Sequence, residues 1–599
     1  MNFAQDTSRL KVEYTSLAGL EFNQVYKQDS DISLFHQYNP VISHEKNFSG
    51  IAYLNYYYLT TGNPGSPFFS LCHEIGNNID HDLGIHQSDI YNFTHDGIKY
   101  YDSYTPFTRF FYVQGKNSLQ IFHAMHTRNL TPRWNMAIQY KSNVTDGFYQ
   151  NQKTKNKNLA LTSHYSTKKG RYKVYVSLLR NIYKDDENGG VQNDSLFESY
   201  KSSDKVRALV KLYSASHTYS EQGVSVFQIF NITHRDTGQL ARKFGSDYLS
   251  LQHQASYNET QYRYNSDLKI DTGYYRAIYI DSSTTNDQLK SNVLKNLVQL
   301  NFIRKDVLFT PGIIHETGQT FHDTSSSSFN NLTAFLKADI PLGIAGLKFN
   351  LKYNIAGTEN SDYYLSGLFL FNLWKFDISV GARQLKKSPS HFQEYLYSNH
   401  LKWDNNFKAV SELNPFAFIS LYRFNLYLNY HSIQDFIYFS ESVVPIQTNK
   451  KIDYYSAELH KDFKLGRFHF INRLMYQKGY DQEILRFPKW IFYNTSYYEN
   501  IFFTKALKLQ LGFDFRFIDG YRSYSYYAPF SILYAGNDKN LPNNLVFDIF
   551  VNAQVKRMNF FLKFENVNKG FPRDYDYLLP HYPSDPRVFR FGFSWMFFD

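Results

Sequence analysis

A single cysteine, Cys72, in 599 residues leaves the chain without an internal disulfide or a cysteine-rich metal site. It lies too deep in the chain for lipoprotein acylation and reads as a bystander. Long apolar runs are missing too: Leu365 to Trp374, LSGLFLFNLW, is interrupted and well short of the about 18 residues that a membrane-crossing helix needs. The opening MNFAQDTS has neither a basic n-region nor a hydrophobic h-region, so a longer precursor with a removed secretory signal is expected. No linker or composition break appears from about Ile51 onward, which argues for one very large unit rather than several soluble domains. The net charge of +10 is dispersed, with no basic cluster of readable motif, and nucleic acid is not expected as a partner.

Catalytic and cofactor signatures are also lacking. There is no G-x-S-x-G or similar nucleophile cue, so no enzyme is expected. The stretch holding His73, Asp80, His81, Asp82, His86 and His95 lacks H-E-x-x-H spacing and any shared helix or strand to align it. These side chains read as solvated loop groups, and no metal is expected. Asp185 to Gly190, DDENGG, is acidic but lacks the spaced ligands and closing Glu of a calcium loop, and reads as a polar turn. No cofactor is expected.

What the chain does have is aromatics, 52 Tyr and 54 Phe, in short alternating runs. Tyr and Phe are strand formers and also suit the girdles where a ring with a polar tip straddles lipid and water. Trp134, Met136, Ile138 and Tyr140 alternate against Arg133, Asn135, Gln139 and Lys141. In LKLQLGFDFRFI, the run Leu507, Leu509, Leu511, Phe513, Phe515, Phe517 opposes Lys508, Gln510, Gly512, Asp514 and Arg516. The last stretch puts Phe589, Phe591, Phe593, Trp595 and Phe597 on one parity, as expected of a barrel-closing strand that turns one face to lipid. Hairpins are predicted across Lys168-Lys169-Gly170, Pro341 to Ala345 and Lys464-Leu465-Gly466.

The fold class that follows is all-β: a single large antiparallel transmembrane β-barrel of roughly 22–26 strands. Residues 1–50 are expected to form an N-terminal periplasmic lead-in that folds back into or under the barrel, and residues 51–599 the barrel, Ile51 to Thr60 being its first strand. Short turns alternate with long loops. Counting back from the final strand makes Asp519-Gly520-Tyr521 and Val555 to Met558 periplasmic, and Ala535 to Asn543 and Lys569 to Pro586 external. Lys184 to Lys205 is placed outside. The run Asn414 to His431 reads as one long strand or two.

Tyr101 to Val191 resembles the putative porins of Bacteroidota outer membranes. The matching pieces are TPFT, YVQG, the H-x-R-N-x-x-P-R-x-N pattern from His126 to Asn135, GFYQNQKTKN, KKGRY and ENGG, with LFHQYNP, TGNPGSP and the ending RVFRFGFSWMFFD similar too. The resemblance implies a large single-chain barrel in the bacterial outer membrane and brings no catalytic or ligand residue.

If the polar parity faces the lumen, the pore-lining candidates are Arg133, Lys141, Lys348, Lys352, Arg467, Arg473, Lys508 and Arg516, with Asp514 among few acids. Such a wall would favour anions, unless it is salt-bridged and plugged by loops. The expected function is therefore a porin-like channel for passive diffusion of small hydrophilic solutes, leaning to anions. The alternative is a non-conducting structural or assembly subunit of an envelope complex. An active TonB-coupled transporter is disfavoured because no plug-sized globular domain precedes the strands. Expected partners are outer-membrane lipid, the barrel-assembly machinery during biogenesis, and other envelope proteins.

Overall fold

A computed structural model describes residues 12–17, 36–37, 46–47, 57–233, 248–322, 325–479, 481–504, 506–571 and 573–598. Twenty-two antiparallel strands join in chain order into one closed ring, from Phe107–Gly115 to Val588–Phe598. The last strand pairs with the first, Arg590 opposite Gly115 and Phe598 opposite Phe107, so the ring has no free edge. Among the described residues no helix is long and apolar enough to cross a membrane.

The two-residue alternation sets the faces of the wall. Trp134, Met136 and Ile138 are more than 40% exposed, while Asn135 and Ala137 between them are buried. In the closing strand Phe589, Phe591 and Trp595 point out, and Arg590, Gly592 and Ser594 point in. Gly592 is required by packing, since a Cβ there would meet the Phe561 ring at 2.5 Å. That ring belongs to an inner cluster with Phe111, Val113, Leu119 and Ile121 beside the seam.

The two ends of the ring differ. At one, strands join through tight turns such as Lys305-Asp306 and Tyr422-Arg423, where both residues have positive φ. This mirror-image turn matches the right-handed twist of the flanking strands. The predicted hairpins at Lys168, Pro341 and Lys464 close at this end, and Asn414 to His431 divides there into Val410–Leu421 and Phe424–Gln434. At the other end lie the long connections, which carry their own short strands and helices. By the usual asymmetry of such barrels the tight end is periplasmic and the long end external. Strands reach 21 residues, in Thr284–Arg304, against the about 9–11 that span a bilayer, so the wall rises beyond the membrane.

Asp519-Gly520-Tyr521 sits at the long-connection end, not with the tight turns. The tyrosine-rich run after it does not enter the wall. Proline at 529 and positive φ at Phe530 and Ser531 break it, and it folds into the pairs Tyr521–Arg522 with Asn540–Leu541 and Ser525–Tyr527 with Ile532–Tyr534. Val555 to Met558 is a tight turn, as expected.

Upstream of the ring, residues 51–56 of the predicted first strand lie outside the described residues, and Tyr58–Thr60 pairs with Phe68–Ser70 inside the barrel. Most of residues 1–50 also lies outside them. Val12–Thr15 forms a small sheet with His36–Gln37 and Tyr100–Ser103. The largest apolar core is in the lumen, where Leu59, Phe69, Leu71 and Ile85 of the upstream segment meet Phe392, Leu396, Trp403, Tyr526, Phe530 and Leu579 of the long connections.

Candidate functional site

Residues 57–103 form a strap across the lumen. Much of it is irregular, so its backbone polar groups need partners other than a sheet ladder. Inward-facing amides of the wall supply them. Asn143 Nδ2 donates to Pro64 O at 2.6 Å, Asn156 Nδ2 to Gly65 O at 2.8 Å, and Gln477 Nε2 to Leu71 O at 2.7 Å. Asn181 both accepts from Phe93 N and donates to Phe93 O, at 3.0 and 2.9 Å.

Charges add a second set of fastenings. Asp80 pairs with Lys295, Asp82 with Lys387 at 2.9 Å, His81 with Glu359 at 2.8 Å, and Tyr57 donates to Glu458. Upstream, Lys46 is buried against Asp514. Burial alone would raise the Asp80 and Asp82 carboxyls, but Lys295 beside Asp80, and His86 and Lys387 beside Asp82, outweigh it and hold both below the usual range. Burial pushes the Cys72 thiol up to about 12, so it is unreactive in the closed lumen.

The loop histidines expected to be solvated are mostly fastenings as well. His95 is buried against Ser177 and Asn258, and His81 stacks on Phe329 at 3.6 Å between ring centres. His86 alone of the four is largely exposed, held between Asp82 and Asp89. His73 Nε2 lies 3.0 Å from Glu412 Oε1, which also receives His431 Nδ1 at 2.6 Å.

At the external mouth, four long connections border a half-open cavity of about 350 Å³. Tyr274, Tyr526, Tyr527, Tyr534 and Tyr582 line it with Lys211 and Arg276. The Tyr274 and Tyr527 rings stack nearly parallel, and Arg276 lies 5.6 Å from the centre of the Tyr534 ring. Burial draws the Lys211 ammonium below its ordinary range.

The pore-lining candidates fall into two groups. Arg133 and Arg467 sit in tight turns at the rim; the second donates to Tyr498 Oη at 3.1 Å. The others face inward and are engaged. Lys141 stands over the Phe93 ring at 4.3 Å, and Lys352 donates to Asn77 O at 3.2 Å, both on the strap. Lys348 pairs with Asp339, Arg473 with Asp462, and Lys508 with Glu499. Asp514 pairs with Lys46 and, at 3.6 Å, with Lys563, and Arg516 is half-buried in the field of Asp548. Sequence reasoning missed Lys295, Lys387, Asn181, Glu412 and His431, whose only signal is inward parity on a strand.

A family model described as "Putative porin" matches residues 15–599. No curated protein matches the chain in sequence. Solved structures match in fold. The FrpB iron transporter from Neisseria meningitidis (F5-1 variant) is 12% identical, with 82% of each chain covered and a TM-score of 0.60. A mutant of the ferric enterobactin receptor PfeA from Pseudomonas aeruginosa is 10% identical over 82% of this chain and 80% of that one, at 0.61. The ferric-catecholate import receptor Fiu from E. coli K12, in a closed form, is 10% identical over 86% and 85%, at 0.60.

Neither functional expectation drawn from the sequence holds. The open diffusion channel fails on a lumen filled by the strap and the long connections, and on a fold shared with transporters and import receptors. The purely structural barrel fails on the same likeness. The objection to an active transporter fails as well, because a plug here needs no separate globular domain. The strap is short and irregular, and the wall and connections complete its core.

Proposed function

The chain belongs to the family described as "Putative porin" and is a bacterial outer-membrane β-barrel, and from that premise we propose that it is a gated active transporter whose strap must be displaced for each passage. The observation that carries this reading is the strap itself, fastened to strands on opposite sides of the ring, Asn181 on one and Glu458 on another, and to Lys295 between them. The Lys295–Asp80 and Lys387–Asp82 pairs are half-buried, where water screens an ion pair less than at an open surface. Several such fastenings make spontaneous opening rare, so work must come from a ligand above or a partner below. The short sheet of Val12–Thr15 with Tyr100–Ser103 leads toward the tight-turn end, where a periplasmic energy-coupling partner would have access. The cavity at the outer mouth, with stacked tyrosines and cations, suits an anionic ring-bearing solute. A ferric chelate is the class suggested by the named cargo of the solved relatives.

The test pairs conductance with uptake. In a planar bilayer the wild type is expected to be silent, and the strap-loosened variant Asp80→Asn, Asp82→Asn to show discrete steps. Cells carrying the wild type should accumulate a ferric catecholate, and lose the ability when the proton gradient is dissipated. Sizeable steps from the wild type would overturn the gate. Uptake indifferent to the gradient would overturn active transport.

A further inference from the structure

We propose that His73, Glu412 and His431 form a binding site for a divalent transition-metal ion that latches the strap to the wall. The inference rests on the strap being a gate, and it concerns residues apart from the outer-mouth cavity.

The site is built by strand register. Glu412 and Asn414, two residues apart on Val410–Leu421, face the lumen together. Leu413 pairs with Ser432 and Phe416 with Asn429, which brings His431 opposite Asn414. Pro415 between them offers no N–H, and the ladder is interrupted there. The strap then lays His73 over the pair, its ring 5.0 Å from that of His431 and nearly perpendicular to it. The ring of Tyr454 closes another side at 6.0 Å.

One ligand atom from each of the three residues lies within 4.8 Å of the other two. The His73 nitrogen is 3.0 and 3.1 Å from the two carboxylate oxygens, and the His431 nitrogen is 2.6 Å from one of them. Bonds of about 2.0–2.1 Å in a tetrahedral site put ligand atoms about 3.4 Å apart, so side-chain adjustments of roughly an ångström admit the ion. Two imidazoles and one carboxylate, with the fourth position left to water, suit zinc and its neighbours. Calcium and magnesium want oxygen throughout. Without the ion the carboxylate accepts from two imidazole N–H groups, and an ion taking those nitrogens would move each ring's proton to its other nitrogen. Asn414, fully buried, donates its amide nitrogen to Tyr430 O at 2.9 Å and brings it within 3.4 Å of His431 Nε2, so it supports the His431 ring from the side away from Glu412.

The ion would tie one strap residue to two neighbouring wall strands, so its release would lower the work of opening. The test uses the full-length barrel, purified with chelator and titrated with Co²⁺ alone. One equivalent should give the visible bands of a tetrahedral site, and Zn²⁺ should abolish them. His73→Ala and Glu412→Gln should each weaken binding by more than about 100-fold, a loss larger than supporting residues produce, while His81→Ala should leave it unchanged. Heat-modifiable migration checks that each variant folds. The latch has its own readout in the neighbouring Cys72: Zn²⁺ should slow its alkylation at least tenfold in the wild type and not in His73→Ala. Absent bands, or bands that survive His73→Ala, overturn the site. Bands without an effect on Cys72 overturn the latch and leave the gate reading untouched.

Discussion

Asp514 holds two lysines that arrive from different parts of the molecule, Lys46 from upstream of the strap and Lys563 from the wall, and it also accepts from Thr495 Oγ1 at 2.7 Å. Replacing it with Asn leaves buried cations short of a counter-charge, a loss of about 3–5 kcal/mol for a partner removed from a buried pair. The midpoint of urea unfolding in detergent should fall accordingly, whereas Asp453→Asn, at a more exposed pair, should move it little. At this scale the alternation in LKLQLGFDFRFI was enough to turn Asp514 inward. It did not reveal the partner, because Lys46 lies 468 residues away and no local pattern links them. The same limit hid the metal-ligating set. His73 stands in an irregular segment, and Glu412 and His431 are ordinary inward residues of strands that only the closed ring brings to it.

Among the elements, the tight hairpins were the most legible, since each needs only a local turn and a two-residue period. The connection from Ser388 to Val410 was not. It carries the helix His391–Glu394 and the pair Tyr395–Tyr397 with Lys402–Asp404, and it packs Phe392 and Trp403 into the lumen core. Two of its histidines give that packing a pH limit. Burial, aided at His391 by the neighbouring His322 and His81, holds His391 and His400 down to about 4. A free histidine titrates near 6.5, so the undocked connection binds protons that the docked one refuses. Docking is therefore at full strength above about pH 6.5 and weakens as pH falls toward 4. Hydrogen exchange across residues 391–404 should accelerate at pH 5 relative to pH 7 after correction for intrinsic rates. The double variant His391→Gln, His400→Gln should lose the difference, and an unchanged wild type would refute the mechanism.

For the whole molecule, ring closure was legible from the aromatic parity of Phe589 to Phe597, and the occupied lumen was not, because a strap without periodicity leaves no trace in a search for strands. Closure makes its own prediction at Gly592. A valine there would strike the Phe561 ring and the Tyr112 carbonyl, and the yield of heat-modifiable barrel should fall severely while Gly367→Val, at an open position, is tolerated. The seam also fixes an order of events. Its two strands are the most distant pair in the ring along the chain, and the strap, lying upstream of both, is synthesised before any of the wall. The wall therefore closes with its passenger already tethered to the first strand. A ring allowed to shut without its strap would have to admit it through a mouth roofed by loops, so strap peptide supplied afterwards to a finished, strapless barrel should fail to seat, whereas the same peptide present during refolding should be captured.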